Sequence, residues 1–206
     1  MSYSAHFIGI GRNRLATDGI GVTTLAAFWG CPLVCKYCLN PQSFQERAIT
    51  RTYTAEELYH FVKIDELYFL ATGGGITFGG GEPCLYPDFI NEFRNLCGKQ
   101  WNITLETSLN VPLKNVKSLF SAVDCYILDI KDINPKIYKS YTGKDNTLPI
   151  ANLKWLIEHG KTDKIRVRIP LIPDFNTEKD TKRTVLALKN MGITDIENFS
   201  YIIKKE

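Results

Sequence analysis

The sequence lacks any hydrophobic run long enough to cross a membrane. None of its 206 residues lies in a stretch that approaches the roughly 20 apolar residues of a bilayer-spanning helix. The N-terminal segment MSYSAHFIGIGRNRL also lacks the long apolar stretch and small-residue cleavage site of a secretion signal. We therefore expect a cytoplasmic protein that does not interact with a membrane.

The sequence also has little excess charge of either sign. Its 25 lysines and arginines exceed its 22 aspartates and glutamates by three, too small a surplus to predict nucleic-acid binding through phosphate contacts. No repeat, low-complexity tract or linker marks a domain boundary. Residues 1–206 are therefore expected to form a single domain.

Cysteine is the residue type with an unusual distribution. Three of the six cysteines, Cys31, Cys35 and Cys38, fall within eight residues, a loop too tight for a disulfide framework. Clustered thiolates bind metal, either zinc or an iron–sulfur cluster. Zinc has no obvious fourth ligand, because the three histidines lie far away in sequence. Three thiolates on a four-iron cluster would leave one iron open to a substrate or cofactor.

The cysteine spacing, CxxxCxxC with Tyr37 before the last cysteine, resembles the signature of radical S-adenosylmethionine (radical SAM) enzymes. The resemblance implies a 4Fe–4S cluster held by the three cysteines, with S-adenosyl-L-methionine on the fourth iron and Tyr37 beside its adenine. It also implies reductive cleavage of this cofactor to methionine and a 5′-deoxyadenosyl radical, which removes a hydrogen atom from the substrate.

Strand and helix patterns alternate along the chain, which predicts parallel strands joined by right-handed crossovers. Six strands are predicted, at residues 22–29, 75–78, 102–106, 125–131, 164–171 and 196–203. Five helices are predicted between them, at residues 54–71, 87–97, 112–122, 148–160 and 177–191. A closed eight-unit barrel needs about 250 residues. The expected fold class is therefore α/β, an open partial (β/α)6 barrel of parallel strands that ends just after its sixth strand.

A glycine-rich segment, Gly79-Gly80-Gly81-Glu82-Pro83, follows the second predicted strand. Consecutive glycines allow a backbone to approach a ligand closely. The segment resembles the GGE motif of the radical SAM family, which implies that Gly80, Gly81 and Glu82 receive the cofactor's ammonium group. The alternative is an ordinary glycine-rich turn with a surface glutamate, but a position at a strand end, one unit after the cysteines, favours the cofactor site.

Charged residues end the next two predicted strands, where they need partners or ligands. Glu106-Thr107 and Leu128-Asp129-Ile130-Lys131 resemble segments of glycyl-radical-enzyme activating enzymes that hold a monovalent cation and the cofactor. The resemblance implies Glu106 and Asp129 as cation ligands. It also implies Thr107, Asp129 and Lys131 as cofactor contacts. Glu106 stands where the family has aspartate, and a strand-end ion pair is the alternative for Asp129 with Lys131.

Two arginines occupy alternate positions of the fifth predicted strand and therefore point to the same face. Arg168 matches an arginine of the family and is expected to clamp the cofactor's carboxylate, since a guanidinium can hold two oxygens at once. Arg166 is expected to be an exterior or capping charge.

The segment Thr17-Asp18-Gly19-Ile20-Gly21-Val22 resembles one found in glycyl-radical-enzyme activating enzymes, although Ile20 and Val22 depart from the family pattern. The resemblance implies that the radical acts on a glycine of a partner protein, a glycyl radical enzyme, with Asp18 as a substrate-binding residue. It further implies flavodoxin or ferredoxin as electron donor and anaerobic conditions. We expect the protein to be monomeric.

Two other functions remain open at this stage. A radical SAM enzyme could act on a small molecule, as the compact deazaguanine-forming enzymes do. A metal-binding or electron-transfer module could carry a cluster, or zinc, without catalysing a reaction.

Overall fold

The computed structural model describes residues 2–15 and 17–201. The described residues form eight strands: β1 (Ser4–Leu15), β2 (Val22–Phe28), β3 (Arg51–Thr54), β4 (Gly75–Gly80), β5 (Asn102–Thr107), β6 (Cys125–Asp129), β7 (Ile165–Leu171) and β8 (Asp195–Ser200). Hydrogen bonds join them in the order β3-β1-β2-β4-β5-β6-β7-β8. β1 is antiparallel to β2 and β3, whereas the pairs β2–β4, β4–β5 and β7–β8 are parallel.

The same residues form seven α-helices: α1 (Ala55–Val62), α2 (Glu66–Thr72), α3 (Pro87–Cys97), α4 (Leu113–Leu119), α5 (Pro135–Thr142), α6 (Thr147–Glu158) and α7 (Glu178–Asn190). Capping boxes begin α1 and α7, because the hydroxyls of Thr54 and Thr177 accept hydrogen bonds from backbone N–H groups three residues on. No helix within the described residues is long and apolar enough to cross a membrane.

The chain divides into two compact units, and the division falls within β6. The first unit comprises Met1–Cys31, Asn40–Thr107 and Lys114–Ile127. Its core is aromatic: Phe28 is completely buried, its ring centroid lying 4.6 Å from that of Phe7, 5.4 Å from that of Phe78 and 5.7 Å from that of Phe89. These rings anchor β1, β2 and β4 against α3, which places the ends of β2 and β4 side by side.

The second unit comprises Pro32–Leu39, Ser108–Leu113 and Leu128–Glu206. Val167 and Ile169 of β7 and Leu153 and Leu156 of α6 are completely buried in it. Asn152 is also completely buried, and its side-chain amide donates to the carbonyl oxygens of Leu109 at 2.9 Å and Val111 at 2.8 Å. This contact ties the segment Ser108–Leu113 to α6.

The expected fold class is confirmed, since the sheet is open, mostly parallel and alternates with helices. All six predicted strands and all five predicted helical regions occur, although the predicted helix at residues 54–71 is interrupted by a 3-10 turn at Lys63–Asp65. The predicted sixth strand extended to residue 203, and residues 202–206 lie outside the described residues. The single-domain organisation stays a prediction.

Three elements were not predicted: β1, β3 and α5. Two register shifts interrupt β1, between Phe7 and Gly9 and between Gly11 and Arg14, and such bulges destroy the alternation that identifies a strand. β3 has only four residues, and α5 only eight. Segments this short carry too few periodic positions to be recognised from sequence.

A charged pair ties β1 to the turn between α1 and α2. Asp65 is completely buried, and both of its carboxylate oxygens accept hydrogen bonds from Arg12, at 2.8 and 2.5 Å. The hydroxyl of Thr24 donates to the same carboxylate at 3.1 Å. The hydrogen bonds from Arg12 lower the pKa of Asp65 below its usual value of 3.8, against the opposing effect of burial.

We predict that Asp65→Asn lowers the free energy of unfolding at pH 7 by about 2 kcal/mol, since it removes charge-assisted hydrogen bonds from a buried group. A carboxylate with a lowered pKa stabilises the folded state above its usual pKa, and this contribution is lost as the pH falls through the folded-state value. The difference from the wild type should therefore shrink as the pH falls below 3.8. Urea unfolding at several pH values measures it.

Asp163→Asn, a change of the same kind at an exposed aspartate, serves as the control and should alter the unfolding free energy by less than about 0.5 kcal/mol. An Asp65→Asn deficit that stays constant down to acid pH would show that the charge of Asp65 is not its source.

Candidate functional site

In the first unit, backbone hydrogen bonds hold the glycine-rich turn after β4 against the segment that leads to Cys31. The N–H of Gly81 donates to the carbonyl of Phe28 at 2.9 Å, and that of Glu82 donates to the carbonyl of Gly30 at 2.8 Å. A Cβ atom on Gly81 would collide with the carbonyl oxygen of Gly30. The turn therefore needs glycine for close approach of two backbones of the protein itself, whereas the predicted close approach to a ligand stays a prediction.

Glu82 is 1% exposed at the end of this turn, and its position is fixed by two hydrogen-bond donors. The hydroxyl of Thr107 donates to Glu82 Oε1 at 2.5 Å, and the backbone N–H of Cys84 donates to the same oxygen at 3.1 Å. Cys84 is buried too, and burial followed by the charge of Glu82 raises the pKa of its thiol. Thr107 and Glu82 are both predicted cofactor contacts, and Thr107 orients Glu82 through this hydrogen bond.

Asn40 is a residue of this site that the sequence did not indicate. Its side-chain amide donates to the carbonyl of Gly80 at 3.1 Å, and the N–H of Gly30 donates to the carbonyl of Ser43 at 3.0 Å. The residues that follow the cysteine loop therefore support the glycine-rich turn. An asparagine two residues after Cys38 was the only available signal.

In the second unit, the part of the cysteine loop that follows Cys31, Pro32–Leu39, is attached to the carboxyl end of α5. The N–H of Val34 donates to the carbonyl of Thr142 at 2.9 Å, and the N–H of Lys36 donates to that of Tyr141 at 3.1 Å. The last carbonyls of a helix have no partner within the helix. The loop around Cys35 satisfies two of them and is thereby positioned by an element that was not predicted.

Tyr37 packs in an aromatic group next to these bonds. Its ring centroid lies 5.8 Å from that of Phe175, edge to face, and 6.2 Å from that of Tyr141. Its hydroxyl donates to Asp174 at 3.1 Å, and burial and this hydrogen bond raise the pKa of Tyr37. Asp174 has a φ of 67°, a left-handed conformation that is uncommon outside glycine although aspartate tolerates it.

Asp129 and Lys131 form the ion pair that was the alternative interpretation of these residues. Lys131 is 6% exposed, and its Nζ lies 2.7 Å from Asp129 Oδ2 and 3.2 Å from the hydroxyl oxygen of Tyr201. Burial alone would lower the pKa of Lys131, but the charge of Asp129 and then that of Tyr201 raise it above its usual value. Their predicted contacts with a cofactor and a cation stay predictions.

The two arginines of β7 face two acidic residues of β8. Arg168 Nε lies 3.4 Å from Glu197 Oε2, and Arg166 Nε lies 3.0 Å from Asp195 Oδ2. Arg166 is half-exposed, as an exterior charge should be, whereas only 17% of the Arg168 side chain is exposed. The role of Arg168 as a carboxylate clamp stays a prediction.

Asp18 is buried in the first unit, where Arg14 binds its carboxylate and the hydroxyl of Thr77 donates to its backbone carbonyl. The pKa of Arg14 is raised, chiefly by its hydrogen bond to Asp18 and in smaller part by the charge of Glu106. Within residues 2–15 and 17–201, no three His, Cys, Asp or Glu side chains converge on a point where they could hold one metal ion. The cation site at Glu106 and Asp129 and the substrate contact at Asp18 stay predictions.

Comparisons with known proteins identify the family to which the chain belongs. Residues 28–185 match the family model of the radical SAM superfamily. The chain belongs to this superfamily. It is 34% identical over 181 residues to the pyruvate formate-lyase-activating enzyme of Clostridium pasteurianum, with 88% of this chain and 73% of the relative aligned.

Two further radical SAM comparisons concern a curated relative and a solved structure. The trans-4-hydroxy-L-proline dehydratase activating enzyme of Clostridioides difficile is 28% identical, with 89% of this chain and 80% of the relative aligned. Streptococcus suis SuiB bound to precursor peptide SuiA superposes with a TM-score of 0.66 at 17% identity, over 86% of this chain. The chain spans only 38% of the length of that structure, so this likeness shows the fold alone.

Radical SAM enzymes use a 4Fe–4S cluster and S-adenosylmethionine, and the cysteine loop fits such a cluster. Cys31, Cys35 and Cys38 are half-exposed and not joined by disulfides. Each thiolate of a cluster binds a different iron, so the three need not converge on one point. The donors are therefore of the required type and number, and three thiolates leave the fourth iron for the cofactor.

The protonation of Cys35 couples cluster binding to pH. Burial raises the pKa of its thiol to about 11, although the charge of Lys131 opposes this effect. Cys35 is thus a neutral thiol at pH 7 in the metal-free chain. Iron has to displace its proton, and cluster assembly should release protons.

We predict that Gly81→Ala destabilises the protein by about 1–3 kcal/mol, because the added Cβ forces two backbones apart. It should also weaken S-adenosylmethionine binding to the cluster-loaded protein. Gly9→Ala is the matched control, because its Cβ would meet nothing within 4 Å and the backbone there is not left-handed. Calorimetric unfolding measures the loss of stability, and calorimetric titration measures the binding of S-adenosylmethionine. Equal melting temperatures for Gly81→Ala and Gly9→Ala would contradict the prediction.

We predict that Asp174→Gly weakens S-adenosylmethionine binding several-fold, because Tyr37 loses a hydrogen bond worth about 1 kcal/mol. The melting temperature should not fall, since glycine relieves the left-handed conformation. Tyr37→Phe should weaken binding equally, and the double variant should add nothing to either change. Additive losses in this cycle would show that the two residues act independently.

Proposed function

We propose that the chain generates a glycyl radical on a partner protein, a glycyl radical enzyme. The observation that carries this proposal is the pair of preformed features that the sequence resemblance assigns to the cofactor. In one unit the cysteine loop is anchored to α5, and in the other the buried Glu82 is held at the end of a glycine turn that cannot accept a side chain. The relatives named above, activating enzymes of such partners, support the same conclusion.

The chain's residues bind and orient the cofactor in this proposal. Cys31, Cys35 and Cys38 hold the cluster, and Glu82, oriented by Thr107 and Cys84, receives the ammonium group. A carboxylate that already accepts two hydrogen bonds keeps its position when the ammonium arrives, which reduces the cost of ordering on binding. Tyr37, fixed by Asp174, lies beside the adenine.

Held by Cys31, Cys35 and Cys38, the cluster would supply the electron that cleaves S-adenosylmethionine reductively to methionine, and this chemistry would remove a hydrogen atom from a glycine Cα of the partner. The products are 5′-deoxyadenosine and the glycyl radical. The reaction consumes one electron from outside. We propose flavodoxin or ferredoxin as its source, and that the protein acts as a monomer in an anaerobic cytoplasm.

The cluster-loaded protein, reduced with dithionite, should convert S-adenosylmethionine to 5′-deoxyadenosine. On mixing with pyruvate formate-lyase or hydroxyproline dehydratase, the partners named for two relatives, an electron paramagnetic resonance doublet of a glycyl radical should appear. Cys35→Ala should abolish both results. Cys125→Ala removes a half-buried cysteine outside the loop and should abolish neither.

Two results would contradict this function. An intact cluster that produces no 5′-deoxyadenosine would exclude the radical chemistry. Turnover of a small heterocycle to 5′-deoxyadenosine and product, with no glycyl signal on either protein, would identify the small-molecule alternative.

A further inference from the structure

Exposed lysines surround the place where the cysteine loop meets α5. Lys36 lies within the loop, between Cys35 and Tyr37, and is exposed. Lys139 lies in the last turn of α5 and Lys144 two residues beyond its end, and both are exposed. Together with the exposed Lys136 on the same helix, they provide four ammonium groups within the second unit.

The attachment of the loop explains why these lysines lie together. The carbonyls that bind the loop belong to Tyr141 and Thr142, the last two residues of α5 before its capping residue Gly143. Lys139 is in the same helical turn as these carbonyls, and Lys36 supplies one of the N–H groups that bind them. Lys139 and Lys144 are therefore within one helical turn, along the chain, of the carbonyls that position Cys35, whereas Lys136 lies near the start of α5.

Two carboxylates in this region offset part of the charge. Asp145 accepts a hydrogen bond from the backbone of Thr147, and its pKa is lowered mainly by Thr147 and slightly by Lys139. Asp174 accepts the hydroxyl of Tyr37. The four lysines outnumber these two carboxylates by two, so this region carries a positive charge. The dipole of α5 favours a lysine only in the last turn of the helix, which accounts for Lys139 but not for the other three.

Large apolar side chains are exposed in the same loop. Val34 is 63% exposed and Leu39 is 76% exposed, one on each side of Lys36. Exposed apolar side chains together with charged ones are the composition of a protein interface. Small interfaces of this kind are typical of weak electron-transfer complexes.

We propose that this surface docks an acidic one-electron carrier protein, and we define the carrier surface as Val34, Lys36, Leu39, Lys136, Lys139 and Lys144. The inference rests on the proposed function, which requires one electron from outside for each cleavage. A carrier that docks here places its redox centre against the loop of Cys35 and Cys38. The lysines attract an acidic carrier over several ångströms and raise its association rate, while Val34 and Leu39 contact the apolar edge of its cofactor.

The test measures the rate at which photoreduced flavodoxin reduces the cluster in cluster-loaded variants. Stopped-flow absorbance records this reduction. Lys139→Glu with Lys144→Glu reverses two charges of the carrier surface without touching the cysteines or the cofactor contacts. At low salt this double variant should lower the second-order rate constant on the order of tenfold. The wild-type rate should itself fall as salt is added, because screening removes the attraction.

Lys164→Glu with Lys189→Glu is the matched control. It makes the same change of net charge at two exposed lysines of the same unit, one directly before β7 and one in the last turn of α7. Its rate constant should stay within about twofold of the wild type. Dithionite, which needs no docking surface, should reduce the cluster of all three proteins to the same extent.

Two outcomes would overturn the carrier surface. A rate constant for the Lys139→Glu, Lys144→Glu variant within about twofold of the wild type would show that the carrier docks elsewhere. An equal loss in the control variant would assign the effect to net charge. Neither outcome bears on the proposed function, which fails instead if the dithionite-reduced wild type forms no glycyl radical on a partner.

Discussion

The site depends on close approach of two backbones at the end of β4. The N–H groups of Gly81 and Glu82 bond to the carbonyls of Phe28 and Gly30, in a space that a single Cβ would fill. This contact fixes the segment immediately before Cys31 and the position of the Glu82 carboxylate together. The aromatic core beneath it keeps β2 and β4 in register, so packing around Phe28 and placement of Glu82 are parts of one constraint.

In the second unit, the end of a helix positions the cysteine loop. An eight-residue helix gains little from its own hydrogen bonds, yet α5 provides carbonyls for the N–H groups of Val34 and Lys36. Tyr138 and Tyr141, both completely or almost completely buried, hold the helix against the unit's core. The helix is thus stabilised by tertiary packing rather than by propensity, and the cysteine loop takes its position from that packing.

The sequence was informative where its signals were local. Cysteine spacing and the glycine run before Glu82 each lie within a few residues; the three cysteines are free thiols, and the glycine run forms a tight turn at the end of β4. The signals failed where the determining contact is distant in sequence. Thr107 orients Glu82 across 25 residues, and Asp174 binds Tyr37 across 137. Such pairs leave no periodic pattern, and bulges in β1 removed the one pattern that would have revealed that strand.

The net charge likewise gives no indication of charged residues that the fold brings together from distant parts of the sequence. A surplus of three positive charges over 206 residues predicts no charged partner, because composition averages over the whole surface. The fold brings Lys36 beside Lys139 and Lys144, more than 100 residues away in sequence, through two backbone hydrogen bonds from the cysteine loop. Other cations lie beside carboxylates, as Arg166 lies beside Asp195 and Lys182 beside Glu178. A small net charge is therefore compatible with a distinctly positive region, and only the tertiary contact that assembles the region reveals it.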